Sequence, residues 1–137
     1  MSTNPEALLY YGFPIGEEMP DGIDYFDASQ KWEEAHRPKE PDDRSDYRTP
    51  EWDEWRARLQ EWKKSPEYVE VGWSGAENCE CYYVHAYGLL ISVEWGEQIE
   101  VNLASPGPEW DEQIRRFCES CGLEFNQPKW YLAARYF

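Results

Sequence analysis

The chain has 137 residues, a formal net charge of −15 at pH 7, and aromatic side chains at 17% of its positions. This length suits a single domain, residues 1–137, with a buried core. The surplus of carboxylates argues against direct binding to nucleic-acid phosphates or to an anionic membrane, because like charges repel. The aromatic content argues against a disordered acidic tail.

The N-terminal part of the chain begins with a predicted strand. Residues 7–13, ALLYYGF, are apolar and aromatic, and we expect Pro14 and Gly16 to end the strand. The following stretch, residues 16–50, is rich in proline and acidic residues, which indicates a largely irregular structure. No secretory signal is visible in the polar start MSTNPE, so we expect a cytoplasmic protein with reduced thiols.

Two helices are predicted in the first half of the chain. The first covers residues 28–36, with Asp27 or Ser29 as its N-cap and Trp32 as its buried anchor. Residues 37–48 are predicted to be an exposed loop. The second helix begins after Thr49 as N-cap, with Pro50 at the first helical position. Pro66 closes it, and one stripe carries its apolar side chains: Trp52, Trp55, Leu59 and Trp62. We expect the stripe to pack on the sheet; the alternative is a partner-binding face.

The strongest strand pattern lies between Cys81 and Leu103, where β-branched and aromatic residues alternate with other residues. Residues 68–73 precede it as a further strand, separated by a predicted loop at residues 74–80. Gly96 and Glu97 form a predicted tight turn. The pattern predicts an antiparallel meander with one apolar face and one acidic face.

A third helix is predicted over residues 108–121, with Gly122 as its terminator. Its apolar face carries Trp110, Ile114, Phe117, Cys118 and Cys121. Residues 129–136 are predicted to form the last strand. The fold class is therefore α+β, an antiparallel sheet of four to five strands packed with two to three helices.

Several segments resemble small uncharacterised acidic proteins encoded by phages and prophages, chiefly those of actinobacteria. The resemblance is carried in order by LLYYGF, the predicted meander, FCESCGL in the third helix and the terminal KWYLAARYF. It implies a phage or prophage origin and an α+β fold, and it implies no chemistry.

The four cysteines raise the question of a metal. Cys79 and Cys81 form a CxC pair, and Cys118 and Cys121 form a CxxC pair, which together match the ligand number of a structural zinc site. Because Cys118 and Cys121 fall on the apolar face of a predicted helix, we expect ordinary buried thiols and no cofactor, with zinc as the alternative.

No G-x-S-x-G, P-loop or H-E-x-x-H motif is present, and His85 shares a predicted strand face with Tyr83 and Tyr87. A core or edge histidine is therefore expected rather than a general base. We predict that the protein is not an enzyme.

Charge gives the main functional prediction. Residues 68–128 hold eleven acidic residues against two basic ones, Arg115 and Arg116. The predicted binding surface for a basic partner comprises Glu94, Glu97, Glu100, Glu109, Asp111 and Glu112. With the phage resemblance, this favours a protein that binds and inhibits a basic nucleic-acid-binding host defence effector of CRISPR or restriction type. Nucleic-acid mimicry is one mechanism by which it would do so. The alternatives are a phage accessory or structural protein, or a small zinc-stabilised domain or enzyme.

Overall fold

The computed structural model describes residues 5–76 and 78–136. Within these residues the chain forms three α-helices and five strands, so the fold is α+β as predicted. In chain order the elements are β1 (Pro5–Gly16), α1 (Tyr25–His36), α2 (Pro50–Lys63), β2 (Val69–Ala76), β3 (Cys79–Ala86), β4 (Ile91–Glu94), α3 (Pro108–Cys121) and β5 (Lys129–Tyr136). A short 3₁₀ turn, Tyr87–Leu89, separates β3 from β4.

The strands pair in a ring. β3 pairs with β2, β2 with β5, β5 with β1, and β1 with β3 again. All of these pairings are antiparallel except that of β2 with β5, a single parallel pair between Gly75 and Arg135. β4 lies outside the ring, beside the N-terminal half of β1, and forms the free edge of the sheet.

The prediction of an antiparallel meander is wrong. β3 and β4 do not pair with each other, because both lie along β1: Gly12 pairs with His85, and Leu9 pairs with Ile91. The last part of the predicted meander, residues 99–103, forms no strand, since this segment is irregular and its side chains are exposed. Alternating side chains favour a strand, but in the described part of the chain no strand pairs with this segment.

The predicted loop at residues 74–80 is instead the end of a β-hairpin. β2 and β3 remain paired from Val69 and Ala86 to Ala76 and Cys79. The turn uses Asn78 with a φ of 67°, a backbone conformation that asparagine tolerates better than most residues.

The C-terminal end of β1 and the N-terminal end of α1 differ from the prediction. β1 continues through Pro14 to Gly16, and its register with β3 shifts between these two residues. Proline is tolerated in a strand at such an irregularity because no ladder hydrogen bond is required of it. α1 begins at Tyr25, earlier than expected, because Asp24 is the N-cap and its Oδ1 accepts from the Asp27 N–H at 2.9 Å.

The larger core lies on the outside of the ring, beneath α1 and α3. It joins strand residues such as Phe13 and Val84 to Trp32 of α1 and to Ile114 and Phe117 of α3. Trp32 meets Phe117 edge to face, with ring centroids 5.6 Å apart. The predicted anchoring by Trp32 is therefore confirmed, and so is the apolar face of α3.

A second, smaller core fills the inside of the ring. Leu8, Tyr10 and Tyr83 are buried there, and the two tyrosine rings stack at 4.0 Å. The Glu6 carboxylate accepts from the Arg135 guanidinium at 3.1 Å, and both side chains are largely buried. This core is formed by strand residues, with Leu90 of the turn before β4 packed against it, which explains why successive residues of β1 are buried on both faces.

Two of the four residues of the α2 stripe, Trp52 and Trp62, are buried, whereas Trp55 and Leu59 are half-buried, and most of the stripe does not pack on the sheet. The indole N–H of Trp52 donates to the Asp43 carbonyl at 2.8 Å, and that of Trp55 donates to the Pro38 carbonyl at 3.0 Å. Trp62 stacks on Tyr68 at 4.6 Å, just before β2. The prediction that the stripe packs on the sheet is thus wrong for Trp52 and Trp55. These two side chains instead bind the irregular segment before α2 through their indole hydrogen bonds.

α2, α3 and β5 end where the sequence predicts. α2 starts after Thr49, although the Thr49 side chain makes no capping hydrogen bond. α3 ends at Gly122, whose φ of 82° is the left-handed conformation expected of a helix terminator. Among the described residues, no helix has the length and apolar character needed to cross a bilayer.

Candidate interaction surface

The first group of predicted binding residues lies at the free end of β4 and in the segment after it. Glu94 ends β4, Glu97 follows the turn at Gly96, and Glu100 lies in the irregular segment. The turn is closed by two hydrogen bonds: the Glu97 N–H donates to the Glu94 carbonyl at 3.1 Å, and the Glu94 N–H donates to Glu97 Oε1 at 2.9 Å. All three side chains are exposed, in a segment that was predicted to be two adjacent strands.

The second group lies on the first turns of α3 and is less free to bind a partner. Glu109 is exposed, whereas Asp111 accepts hydrogen bonds from Tyr11 at 2.6 Å and from Gln127 at 3.0 Å. Glu112 bonds to two neighbouring arginines, and these hydrogen bonds lower the pKa of its carboxyl group. Asp111 therefore fastens α3 to β1, and the charge of Glu112 is largely compensated.

Glu94 and Asp111, one from each group, do not lie side by side. Glu94 lies opposite Glu6 of β1, and Asp111 bonds to Tyr11 of the same strand. Glu6 and Tyr11 are five steps apart along an extended strand, which corresponds to roughly 17 Å. The group of Glu94, Glu97 and Glu100 is consequently the better candidate, and we call it the acidic segment.

The acidic segment belongs to a long part of the chain without cationic side chains. Residues 65–114 contain no lysine or arginine. In the described part of the chain, ion pairs involve residues such as Asp53 and Arg56 of α2 or Glu112 and Arg115 of α3, and none involves the acidic segment. Its negative charge is therefore left for solvent or for a partner.

An exposed apolar surface that sequence reasoning missed lies beside the acidic segment. It comprises Ala7, Val93, Trp95, Leu132, Ala134 and Tyr136, which we call the outer apolar face. Trp95 is 84% exposed, Leu132 77% and Tyr136 48%. Five of the six, all but Leu132, line a shallow groove of about 280 Å³ together with Glu94. The sequence feature that indicates this surface is that β5 is apolar at nearly every position. A strand with apolar side chains on both faces requires packing partners on both faces.

The four cysteines lie in two different places and do not assemble the alternative zinc site. Cys79 and Cys81 are on β3, while Cys118 is buried in the larger core beneath α1 and α3. In residues 5–76 and 78–136, no group of three or more potential ligand side chains comes together around a point that could hold a metal. Burial raises the pKa of Cys118 to about 12 and also raises the pKa of Cys121, which disfavours the thiolate that zinc requires.

We therefore expect the purified protein to contain no stoichiometric zinc and to stay folded in chelator. The physical reason is that a thiol buried among apolar side chains is a poor metal ligand. Elemental analysis and circular dichroism before and after chelation measure this. One zinc per chain, lost when Cys79 or Cys118 is changed to serine, would show the opposite.

His85 is a buried histidine inside the ring. Its side chain is 1% exposed, Nε2 lies 3.1 Å from Glu70 Oε1, and the ring meets those of Tyr10 and Tyr83. In the described part of the chain, Nδ1 has no hydrogen-bond partner. A substrate would have to pass the strands to reach this ring, so the arrangement fits the expected core histidine.

No protein-family model, curated protein or solved structure matches the chain. The resemblance to phage-encoded proteins therefore stays a prediction, carried by the segments quoted for it.

Proposed function

We propose that the protein is a non-enzymatic interaction protein that binds a basic nucleic-acid-binding protein and blocks its nucleic-acid site. The observation that carries this proposal is the acidic segment: three exposed carboxylates within seven residues, without ion-pair partners among the described residues. Carboxylates spaced along an exposed segment offer the same sign of charge to a basic groove as the phosphates of a nucleic acid do.

The more specific form of the proposal names the partner as a host defence effector of CRISPR or restriction type, inhibited by a phage-encoded protein. It is supported by the resemblance to phage proteins and by the net charge of −15. Such effectors hold nucleic acid in positively charged channels, which is the chemistry that an acidic competitor requires.

The test begins with capture of partners from host lysate and continues with a competition assay on the purified partner. The variant reverses Glu94, Glu97 and Glu100 to lysine. We expect it to bind roughly 100-fold more weakly or worse, because each attractive charge contact becomes repulsive. Wild-type binding should also weaken steeply with salt, since electrostatic association is screened.

A matched control reverses three other exposed acids, Glu17, Glu18 and Asp21, to lysine. These residues follow the C-terminal end of β1, whereas the acidic segment lies near its N-terminal end. The control makes the same change in net charge and should retain most of the inhibition. Equal inhibition by both variants would remove the acidic segment from the mechanism. Salt-insensitive binding would remove nucleic-acid mimicry and leave the accessory or structural role.

A further inference from the structure

The outward-facing residues of β1 and β5 are apolar along the length of their pairing, but the helices cover only part of them. On β1, Tyr11 and Phe13 lie in the core beneath α3, whereas Ala7, on the same side of the strand, is exposed. On β5, Trp130 packs against that core, whereas Leu132 and Tyr136 are exposed. The uncovered part continues the covered part in register, since Ala7 lies opposite both Ala134 and Val93.

The segment between β4 and α3 borders this uncovered surface and adds to it. It starts at Trp95 and returns to β5, where the Ala104 carbonyl accepts from the Trp130 indole at 3.2 Å. On the way, Ile99 and Leu103 stay about half exposed. Exposed apolar patches on soluble monomers rarely exceed about 300–600 Å², and larger ones mark interaction sites. Trp95, Leu132 and Tyr136 alone supply a substantial part of such an area.

Charge decides which occupant fits this surface. A second copy would bring two chains of net charge −15 together, with Glu94 and Glu97 of one beside those of the other in a symmetric interface. A membrane surface with anionic lipids would be repelled in the same way. A segment that carries lysine or arginine is attracted instead, because Glu94 of the acidic segment lines the groove.

We propose that the outer apolar face is the docking surface for an amphipathic segment of the basic partner, with apolar side chains at its centre and lysine or arginine on its flanks. The proposal rests on the function proposed above and specifies how that partner is held. Trp95 lies between Glu94 and Glu97 in the chain. The Trp95 side chain would therefore contact the apolar centre of the partner segment, while the carboxylates of Glu94 and Glu97 contact its lysine or arginine side chains. This arrangement is that of an interface hot spot with a charged rim.

The test uses a displayed library of random dodecapeptides, selected on the immobilised wild-type protein. We expect the enriched peptides to combine aromatic or aliphatic residues with lysine or arginine. Their affinities, measured by fluorescence anisotropy, should fall by about 10-fold or more in Trp95→Ala and in Leu132→Ser, as hot-spot truncations do. The control Phe26→Ala removes an apolar side chain that is 64% exposed on α1 and should leave the affinity unchanged.

The two proposals fail in different ways in this experiment. The first contrary outcome is enrichment of basic peptides without apolar residues, whose binding is lost when the acidic segment is reversed but is kept in Leu132→Ser. This outcome would overturn the proposed docking surface and would still support a basic partner. The second contrary outcome is enrichment of apolar peptides without basic residues, whose binding is lost in Leu132→Ser alone. This outcome would overturn the proposal that the partner is basic. Failure to enrich any peptide, or dimerisation of the wild type in sedimentation that Leu132→Ser abolishes, would overturn the proposed occupant.

Discussion

The Gly12→Ala variant is expected to lose roughly 3 kcal/mol or more of folding free energy, the upper end of what overpacking costs. A Cβ atom at residue 12 would lie 1.8 Å from the Val84 carbonyl oxygen and 2.9 Å from the His85 Cα. Both are backbone atoms, so no side-chain rotation relieves the clash. β1 and β3 would have to separate at the point where their pairing closes the ring.

Urea denaturation followed by tryptophan fluorescence measures this loss. Gly96→Ala is the matched control, because Gly96 has a φ of 83° and open space around its Cβ position. It should cost only about 1–2 kcal/mol, the penalty for placing alanine in a left-handed conformation. A Gly12→Ala loss no greater than that of the control would mean that β1 and β3 are not in close backbone contact.

The Phe117→Ala variant is expected to lose about 3–5 kcal/mol, the range for removing a large buried aromatic side chain. Phe117 is fully buried and contacts Trp32 edge to face, so its removal leaves a cavity between α1 and α3. Chemical denaturation at constant pH measures the effect. Because the side chain does not reach the outer apolar face, any folded fraction should still bind the selected peptides.

Phe26→Ala is the stability control for this variant as well. Its side chain is 64% exposed, so the expected change is within about 0.5 kcal/mol. A loss below about 1 kcal/mol in Phe117→Ala would contradict the position of α3 against the sheet, because a buried phenylalanine cannot be removed at so small a cost.

The candidate surface was only partly predictable. Glu94, Glu97 and Glu100 were selected because they are acidic and lie in a stretch without cations, and they are exposed in the structure. Asp111 was selected for the same reason, but it bonds to Tyr11, a hundred positions away. Acidity alone does not distinguish a free carboxylate from one that fastens a helix to a strand.

The outer apolar face was not predicted, for a related reason. Leu132 is as apolar as Phe13, which also lies on the outside of the ring, yet Leu132 is 77% exposed and Phe13 only 3%. The difference comes from what covers each position, and α1 and α3 extend only as far as Tyr11 and Trp130. The lengths and directions of the helices therefore decide which apolar residues of the strands remain on the surface.

Sequence alone determined the bounds of α2, α3 and β5, because proline, glycine and apolar periodicity act within a few neighbouring residues. Tertiary structure alone decided that β3 and β4 pair with β1 and that Trp52 packs on the segment before α2. It also decided that residues 99–103 pair with no strand among the described residues. Strand pairing and burial depend on residues far apart in the chain, and a local pattern cannot specify which distant segment supplies the hydrogen bonds or the cover.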